Sequence, residues 1–581
     1  MALGTLPFEV KGGHSHRGGV TDCPVFKMLP AQLQKESKEH QFLLDYIHVL
    51  PIEDVGIPEF YDELDRKVGD KENPNLIYPI GNGLYVHIFP DPNDTRDHYI
   101  AIEPGMFDSD EGLVDELEDR LLEHVEDMDD LDGAKMDRGQ VLRNILDKVV
   151  VVVTPKELAE SRKKAKNKAK NKNDVAKKLR VTKSQLASLR YQLVRDKEGM
   201  GLLEPLINDP YIEDISCSGL GALFLEHKIF KSLKTNINFG SMEELDTFVI
   251  QISEKIGKPV TYRSPIVDAV LPDGSRINLV FGDDVSKRGS NFTIRKFSAE
   301  PFSLIQLVEF GGLTYEMAAY LSLAMLHGMN MFISGETASG KTTLMNAVTV
   351  FLHPTAKIVS IEDTPELQVA HPNWIREVIR GRAGDVSGSA VTMFDLLRAA
   401  LRQRPNEIII GEIRGEEGAI AFQAMQTGHA CMATFHAASV EKLIQRLTGH
   451  PINIPKTYVD NLNLVVIQSS VRLPSGKEGR RIMSINEIVG YDSSTDSFSF
   501  IEVFRWNPAD DTFEFTGYMN SYLLEEVIAL KRGLPPHRKR EIYSELTRRA
   551  NILRRLKDQG VVGFYDLFQV LSKAYKEGIF R

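Results

Sequence analysis

Residues 331–352 read MFISGETASGKTTLMNAVTVFL, an apolar run followed by a glycine-rich loop and a helix-like segment. The loop, GETASGKT at 335–342, matches the pattern G-x-x-x-x-G-K-[ST] at every fixed position. The run at 331–333 predicts a buried strand, and residues 343–352 predict a helix that ends before Pro354. This order predicts a phosphate-binding loop, because backbone N–H groups of the loop and of the helix N-terminus present partial positive charge to phosphate oxygens.

The predicted ligand of this loop is ATP with Mg²⁺. Glycines let the backbone approach the phosphates closely. Lys341 supplies a positive charge to the β- and γ-phosphates, and the Thr342 hydroxyl ligates the metal ion. The residues expected to bind the nucleotide are Gly335, Glu336, Thr337, Ala338, Ser339, Gly340, Lys341, Thr342 and Thr343.

A carboxylate follows the next predicted strand, at 357–361. In an open α/β sheet, a side chain at the carboxyl end of a strand points into the ligand crevice. Glu362 is therefore predicted to be the general base that polarises the attacking water, with Glu366 in reserve. The alternative is that both acids are ordinary turn residues.

Two later strand ends supply further polar side chains. Glu412 follows the buried run 407–410 at the Walker B position, where an acid holds Mg²⁺, usually through water. Here Gly411 stands where an aspartate is usual. His436 follows the strand 430–434, where its nitrogen could sense the γ-phosphate or could simply be a core or surface histidine.

Two arginines share one face of the helix predicted at 392–403. Arg398 and Arg402 are four residues apart, the spacing of side-chain neighbours on a helix. They are either solvated or in contact with a neighbouring subunit.

The bulk composition excludes several classes of protein. A length of 581 residues requires several domains, because one core stops growing near roughly 250 to 300 residues. The net charge of −11 argues against a protein that coats nucleic acid, which needs a basic surface. Three cysteines without CxxC spacing argue against a disulfide framework or a cysteine zinc site, and they fit a reducing cytoplasm. Without an apolar run of membrane-spanning length or a secretory signal, any membrane association is expected to be peripheral.

Two segments stand out by their charge. Residues 107–137 carry fourteen acidic and two basic residues, which fits a helix with a solvated acidic face or a docking site for a basic partner. Residues 162–180 carry ten basic residues and one acid, which fits an interdomain linker or attachment to an anionic membrane.

Four segments, in this order, resemble the Walker A, aspartate, Walker B and histidine boxes of the type II and type IV secretion ATPases. They are GETASGKT (335–342), VSIEDTPEL (359–367), RPNEIIIGEIRG (404–415) and QTGHACMATFHA (426–437). LLEPLINDPYIEDIS (202–216) and LPDGSRINLVF (271–281) extend the resemblance over roughly 200–500. This superfamily drives pilus assembly, protein secretion and archaellum rotation.

The resemblance implies an α/β fold, with a RecA-like P-loop ATPase domain that follows a PAS-like α/β domain, and α-rich accessory regions at both ends. The expected divisions are a variable leader (1–70), an N-terminal accessory α/β domain (71–155), a basic linker (156–182), the PAS-like domain (183–298), the RecA-like domain (303–520) and a helical C-terminal tail (521–581).

The resemblance also implies a homohexameric ring. Arginines of the PAS-like domain help to complete the ATP site in such rings, and Arg276 and Arg295 stand at matching positions, although each could be an ordinary strand-surface arginine. A hinge is expected at 297–301. The implied partners are an integral membrane platform protein, other cytoplasmic components of a filament motor and, indirectly, pilin-like subunits. The implied location is the cytoplasmic face of the membrane.

Other segments narrow the branch. The sequence lacks the four-cysteine zinc module that bacterial assembly ATPases commonly carry. LIYPIGNGLYVHI (76–88), YIAIEP (99–104) and FRWNPADDTFEF (504–515) resemble archaeal members, including the archaellum motor. The expected function is an ATP-hydrolysing hexameric motor for assembly, secretion or rotation of a type IV pilus-like filament. A RecA-like nucleic-acid translocase and a nucleotide-controlled assembly switch with little turnover stay open as alternatives.

Overall fold

A computed structural model describes residues 6–10, 23–107, 111–122, 138–154, 156–158, 160, 178–297, 300–380 and 390–580. The chain divides into two compact units, residues 1–297 and 298–581, and each is described by itself. Of the segments discussed above, 108–110 and 123–137 of the acidic region, 162–177 of the basic region and 298–299 of the expected hinge lie outside the described residues.

The first unit contains a ten-stranded sheet in the order β1-β2-β3-β4-β9-β8-β7-β12-β11-β10, and a separate pair, β5-β6. The strands are β1 (Glu59–Phe60), β2 (Leu76–Gly81), β3 (Leu84–Phe89), β4 (His98–Ile102), β5 (Val150–Val152), β6 (Leu179–Val181), β7 (Ile212–Cys217), β8 (Gly221–His227), β9 (Lys231–Phe239), β10 (Ile266–Val270), β11 (Arg276–Val280) and β12 (Asn291–Arg295).

Residues 76–88 form a hairpin. β2 and β3 pair antiparallel, and Asn82 and Gly83 between them both have positive φ, as tight hairpin turns require. β4 then pairs in parallel with β9, with His98 opposite Lys234. One sheet therefore runs through the segments expected as an accessory domain and a PAS-like domain, because this pairing joins the backbone groups of two strands that would otherwise be edges.

The segment expected to be a variable leader is largely helical where it is described. Helices Ala31–Glu39 and Gln41–Val49 bury Leu43, Tyr46 and Ile47 in one core with residues of β2, β3 and β4. The Tyr46 hydroxyl lies 2.7 Å from Nδ1 of His87, so a polar contact as well as apolar burial fixes these helices on the sheet.

The remaining helices of the first unit flank these strands. They are Pro24–Met28, Ile52–Val55, Glu111–Leu122, Arg138–Val149, Lys183–Lys197, Glu204–Asn208 and Met242–Lys255, with 3₁₀ turns at Arg66–Asp70 and Gly201–Leu203. Thr182 and Gln185 form a reciprocal capping box that starts the helix after the basic segment.

The second unit is built on a nine-stranded sheet in the order β15-β14-β16-β17-β13-β18-β19-β20-β21. The strands are β13 (Met331–Ser334), β14 (Ile358–Glu362), β15 (Trp374–Val378), β16 (Glu407–Ile410), β17 (Ala430–Phe435), β18 (Leu464–Arg472), β19 (Glu478–Asp492), β20 (Ser497–Asn507) and β21 (Thr512–Glu514). Strands β13 to β18 pair in parallel and the rest antiparallel. One strand, β17, lies between the P-loop strand β13 and β16, which is the RecA-like order, so the predicted fold class is confirmed.

Helices cover this sheet, and the C-terminal segment belongs to the same core. The helices are Leu304–Glu309, Tyr315–Leu326, Lys341–Val348, Met393–Gln403, Glu417–Gln426, Val440–Thr448, Ala529–Lys531, Ile542–Asp558 and Phe564–Lys576, with 3₁₀ turns at Thr349–Phe351, Lys456–Asn461 and Pro536–Glu541 and a π-helix at Leu523–Ile528. The segment expected to be a tail is thus built into the unit, since Leu546, Leu553, Phe564 and Leu567 share a buried cluster with Met345 of the helix after the P-loop. None of the helices described in the chain has the length and apolar character needed to cross a bilayer.

Candidate active site

The glycine-rich loop joins β13 to the helix Lys341–Val348. Ala338 and Gly340 both have positive φ, at 60° and 93°, so the loop turns through left-handed backbone conformations. A Cβ atom at Gly335 would lie 2.0 Å from the carbonyl oxygen of Gln468 on β18, and one at Gly340 would lie 3.1 Å from the Nε2 atom of Gln468. The backbone of β18 therefore requires glycine at 335, and the positive φ favours glycine at 340.

Lys341 lies within this loop. Its Nζ atom donates hydrogen bonds to the carbonyl oxygens of Gly335, at 3.0 Å, and Glu336, at 2.7 Å. Burial lowers the pKa of Lys341, although the charge of Glu412 opposes the shift. The ammonium group is thus held at the loop beside an acid of another strand end.

The other residues predicted to bind the nucleotide surround this lysine. Glu336, Thr337 and Ala338 are exposed, whereas Thr342 and Thr343 are half-buried in the first turn of the helix. The Ser339 hydroxyl is buried and has no hydrogen-bond partner within the described part of the chain. It is therefore a polar atom that a ligand of the loop could satisfy.

The structure brings the predicted strand-end residues to one edge of the sheet. Strands β14, β16, β17 and β13 are parallel neighbours, so their carboxyl ends meet at the same edge. Glu362 ends β14, Glu412 follows β16, and His436 follows β17. All three therefore belong to the same edge as the loop after β13.

The Glu362 carboxylate is buried and makes three hydrogen bonds. Its Oε1 accepts from the backbone N–H groups of Glu366, at 2.8 Å, and Leu367, at 2.7 Å, and its Oε2 accepts from Arg376 Nε at 3.2 Å. Burial raises the pKa of Glu362, although the Leu367 N–H group and the Arg376 charge act to lower it. Glu362 thus organises its own loop, and Glu366 supplies a backbone donor to it.

Glu412 lies between a histidine and an arginine. Its Oε1 lies 2.9 Å from Nε2 of His436, and its Oε2 accepts a 2.7 Å hydrogen bond from Arg414, which also bonds Asp363 at 3.3 Å. Burial would raise the pKa of Glu412, but Arg414 and the charges of His436 and Lys341 outweigh it, so this pKa lies below its ordinary value. Glu412 is therefore ionised at neutral pH.

Burial also lowers the pKa of His436. Nearby cations, including Lys341 and Arg414, lower this pKa further, whereas the charge of Glu412 acts to raise it. The imidazole is accordingly neutral at neutral pH, and its Nε2 atom lies beside the Glu412 carboxylate.

Comparison with known proteins identifies the family to which this chain belongs. A family model described as "Type II/IV secretion system protein" matches residues 196–503, more than half of the chain. Uncharacterized protein MJ0900 of Methanocaldococcus jannaschii is 41% identical over 555 residues, which are 96% of this chain and 98% of that protein. This chain belongs to the type II/IV secretion system protein family.

More distant members match over shorter segments. Type IV secretion system protein PtlH of Bordetella pertussis is 33% identical over 205 residues, 32% of this chain and 60% of that protein. The crystal structure of the VirB11 ATPase from the Brucella suis type IV secretion system, in complex with sulphate, aligns with 49% of this chain and 92% of that chain, at 25% identity and a TM-score of 0.25.

Several side chains at the site of this secretion-system family member do not stand out in the sequence. They are Arg376, Arg414, Gln468 and Arg480. Arg414 could have been noticed, because it follows Glu412 by two residues in GEIRG. The other three contact the site only through pairing of distant strands, which leaves no local sequence signal.

The remaining predicted arginines are divided between the two units. Arg276 and Arg295 belong to the first unit, where they face each other on β11 and β12 and are exposed. Arg398 and Arg402 are exposed on the helix Met393–Gln403. Within the second unit the structure therefore groups the loop, Glu362, Glu412 and His436 at one edge of the sheet.

Proposed function

We propose that this chain hydrolyses ATP with Mg²⁺ and works as a homohexameric motor for assembly, secretion or rotation of a type IV pilus-like filament. The observation that carries the proposal is the meeting of a P-loop lysine with strand-end acids at one edge of a RecA-like sheet. Membership of the type II/IV secretion system family supports the same activity.

The residues of the loop fit a magnesium-bound triphosphate. Glycine at 335 lets the loop lie against β18, and the buried Ser339 hydroxyl is available to a ligand. Thr342 and Glu412 are oxygen donors of the kind that Mg²⁺ prefers, Glu412 acting through water. Bound Mg²⁺ would neutralise charge on the β- and γ-phosphates.

Glu362 can act as the general base through the one acceptor site that its hydrogen bonds leave free. A carboxylate has about four lone-pair sites, and the structure uses three of them for Glu366, Leu367 and Arg376. One acceptor site on Oε2 is left for a water molecule. The raised pKa of Glu362 makes it a better proton acceptor than an exposed glutamate.

His436 and the paired arginines fit supporting roles. The neutral imidazole of His436 is fixed by Glu412 and can report on the terminal phosphate through a hydrogen bond. Arg276 and Arg295 carry like charges at facing positions of neighbouring strands, and Arg295 also faces Asp214 on β7. We assign them to the phosphates of the assembled ring.

The motor needs partners in the membrane. In this proposal the ring lies at the cytoplasmic face of the membrane, where it binds an integral membrane platform protein and other cytoplasmic motor components, and it acts on pilin-like subunits indirectly. The resemblance of residues 76–88, 99–104 and 504–515 to archaeal members supports an archaeal pilus or archaellum as the filament.

A steady-state ATPase assay on the full chain tests the activity. Lys341→Ala should lower turnover by about a hundredfold or more, because it removes a preorganised phosphate contact. The exposed Lys442→Ala in the same unit should leave turnover unchanged. Equal turnover of the Lys341 variant and the parent would refute the site.

Co-purification from native membranes tests the motor. A platform-type membrane protein and filament subunits should accompany the chain. Stimulation of the ATPase by DNA without such a partner would indicate a translocase instead, and nucleotide-dependent oligomerisation with negligible turnover would indicate an assembly switch.

A further inference from the structure

Arg480 lies on the side of the P-loop that the strand-end acids do not occupy. It is located on β19, which pairs with β18, and β18 pairs with the P-loop strand β13. Glu362, Glu412 and His436 all follow strands on the other side of β13. A triphosphate whose γ-phosphate lies toward these acids has its α-phosphate and nucleoside toward β18 and β19.

Arg480 contacts the P-loop directly. Its Nε atom donates a 3.1 Å hydrogen bond to the carbonyl oxygen of Ala338, and its Cδ atom lies 3.2 Å from the place of a Cβ on Gly340. Among the described residues no acid pairs with Arg480, and its two terminal nitrogens have no protein partner there. The guanidinium is thus an available cation anchored at the loop.

The next residue shows what a purely structural arginine looks like on this strand. Arg481 is buried, and its Nε and Nη2 atoms bond the Asp511 carboxylate at 2.7 and 2.8 Å. Its charge is neutralised within the fold. Arg480 differs because the fold supplies the anchor but no counter-ion.

A second observation also indicates a ligand at this position. Gln468, opposite the loop on β18, is 7% exposed, and its Oε1 atom has no hydrogen-bond partner in the described chain. Buried polar atoms of this kind are usually satisfied. Within the part of the chain that the structure describes, the loop therefore has two buried polar atoms without partners, the Ser339 hydroxyl and the Gln468 amide oxygen, and one cation without a counter-ion, Arg480.

We propose that Arg480 binds the nucleotide from within the same chain, as a contact to the α-phosphate on the nucleoside side of the P-loop. This inference rests on the proposed ATP site. A contact on that side is made equally by ATP, by ADP and by the transition state, so it strengthens binding without changing the chemical step.

The test compares Arg480→Gln with Arg472→Gln, an exposed arginine next to the turn of the same β18–β19 hairpin. Calorimetric titration with Mg-ADP should show affinity reduced by about ten- to a hundredfold for Arg480→Gln, the effect of one charged hydrogen bond, and unchanged for Arg472→Gln. KM for ATP should rise by a similar factor, with kcat within about twofold of the parent. If Arg480→Gln does not fold, Arg480→Lys is measured instead. Lysine keeps the positive charge but lacks the paired donors of the guanidinium, so the loss of ADP affinity should be smaller than the loss expected for Arg480→Gln.

The outcomes separate the two proposals. If the parent chain binds Mg-ADP and the Arg480 variants bind it equally well, or if kcat falls while affinity is unchanged, the assignment of Arg480 is overturned and the ATP site stands. If the parent chain binds no Mg-ADP, both are overturned.

Discussion

The Nε2 atom of His436 lies 2.9 Å from Oε1 of Glu412, so the ends of strands β17 and β16 are joined by one side-chain contact. Arg414 occupies the other oxygen of the same carboxylate. Glu412 is consequently held in one orientation, and in its ionised form, next to the P-loop lysine.

Arg414→Gln should shift the acid limb of the ATPase pH profile. Arg414 helps to hold the pKa of Glu412 below its ordinary value, so the ionised form persists as pH falls until the folded-state pKa is reached. Without Arg414 this pKa rises, and activity should begin to fall at a higher pH. The profile of kcat/KM against pH measures the shift, with Arg472→Gln as the control, and an unmoved acid limb would contradict the role given to Arg414.

Arg376→Gln should destabilise the second unit. Arg376 is the charged partner of Glu362, with side chains 32% and 2% exposed, so its loss leaves a buried carboxylate with fewer partners. We expect a loss of about 1–2 kcal/mol, reduced from the value of a fully buried pair because Arg376 is partly solvated. The melting temperature should fall by about 2–6 °C.

Arg555→Gln is the matched control for Arg376, since Arg555 is exposed on the helix Ile542–Asp558. Its melting temperature should equal that of the parent. Equal stability of both variants would mean that Arg376 does not support Glu362.

Gly335→Ala should disrupt the loop although alanine is the smallest change available. The added Cβ would meet the Gln468 carbonyl oxygen at 2.0 Å, so β18 or the loop must move. Mg-ADP affinity and melting temperature should both fall. Gly490→Ala on β19 is the control, because no atom of the described residues lies within 4 Å of the added carbon, and it should leave Mg-ADP affinity and melting temperature almost unchanged. Equal affinities and melting temperatures for the two variants would contradict the close approach of β18 to the loop.

Much of the site could be predicted because its signals are local. Strands β13, β14, β16 and β17 are short apolar runs. Sequence alone therefore places Glu362, Glu412 and His436 at or just after strand ends, and Lys341 at the start of the helix that follows the loop after β13. The hydrogen bonds of Glu362 to its own loop were not predictable, since they depend on the path of residues 363–367 and on the parallel pairing of β14 with β15.

Contacts between distant segments account for the other differences. His98 pairs with Lys234, and this long-range register joins segments that composition had separated. Likewise, an amphipathic helix near the C-terminus has a recognisable apolar stripe, but the stripe does not reveal which core receives it. Only the folded chain shows that residues 521–580 pack into the core of the RecA-like unit.

Leu567→Ala tests whether this C-terminal segment is part of that core. Leu567 is fully buried in the cluster that contains Met345, so its truncation should cost about 2–5 kcal/mol of unfolding free energy. Gln569→Ala, exposed on the same helix, should be nearly neutral. Thermal or urea unfolding measures both, and a neutral Leu567 variant would show that the segment is an independent appendage.

Single-turnover hydrolysis of Mg-ATP by Glu362→Gln tests most directly whether the strand-end acids cleave the nucleotide held by the P-loop. The variant should bind Mg-ATP as tightly as the parent, and its hydrolysis rate should fall by about a hundredfold or more, because the substituted amide cannot accept a proton from water. A parent-like hydrolysis rate in Glu362→Gln would contradict the account.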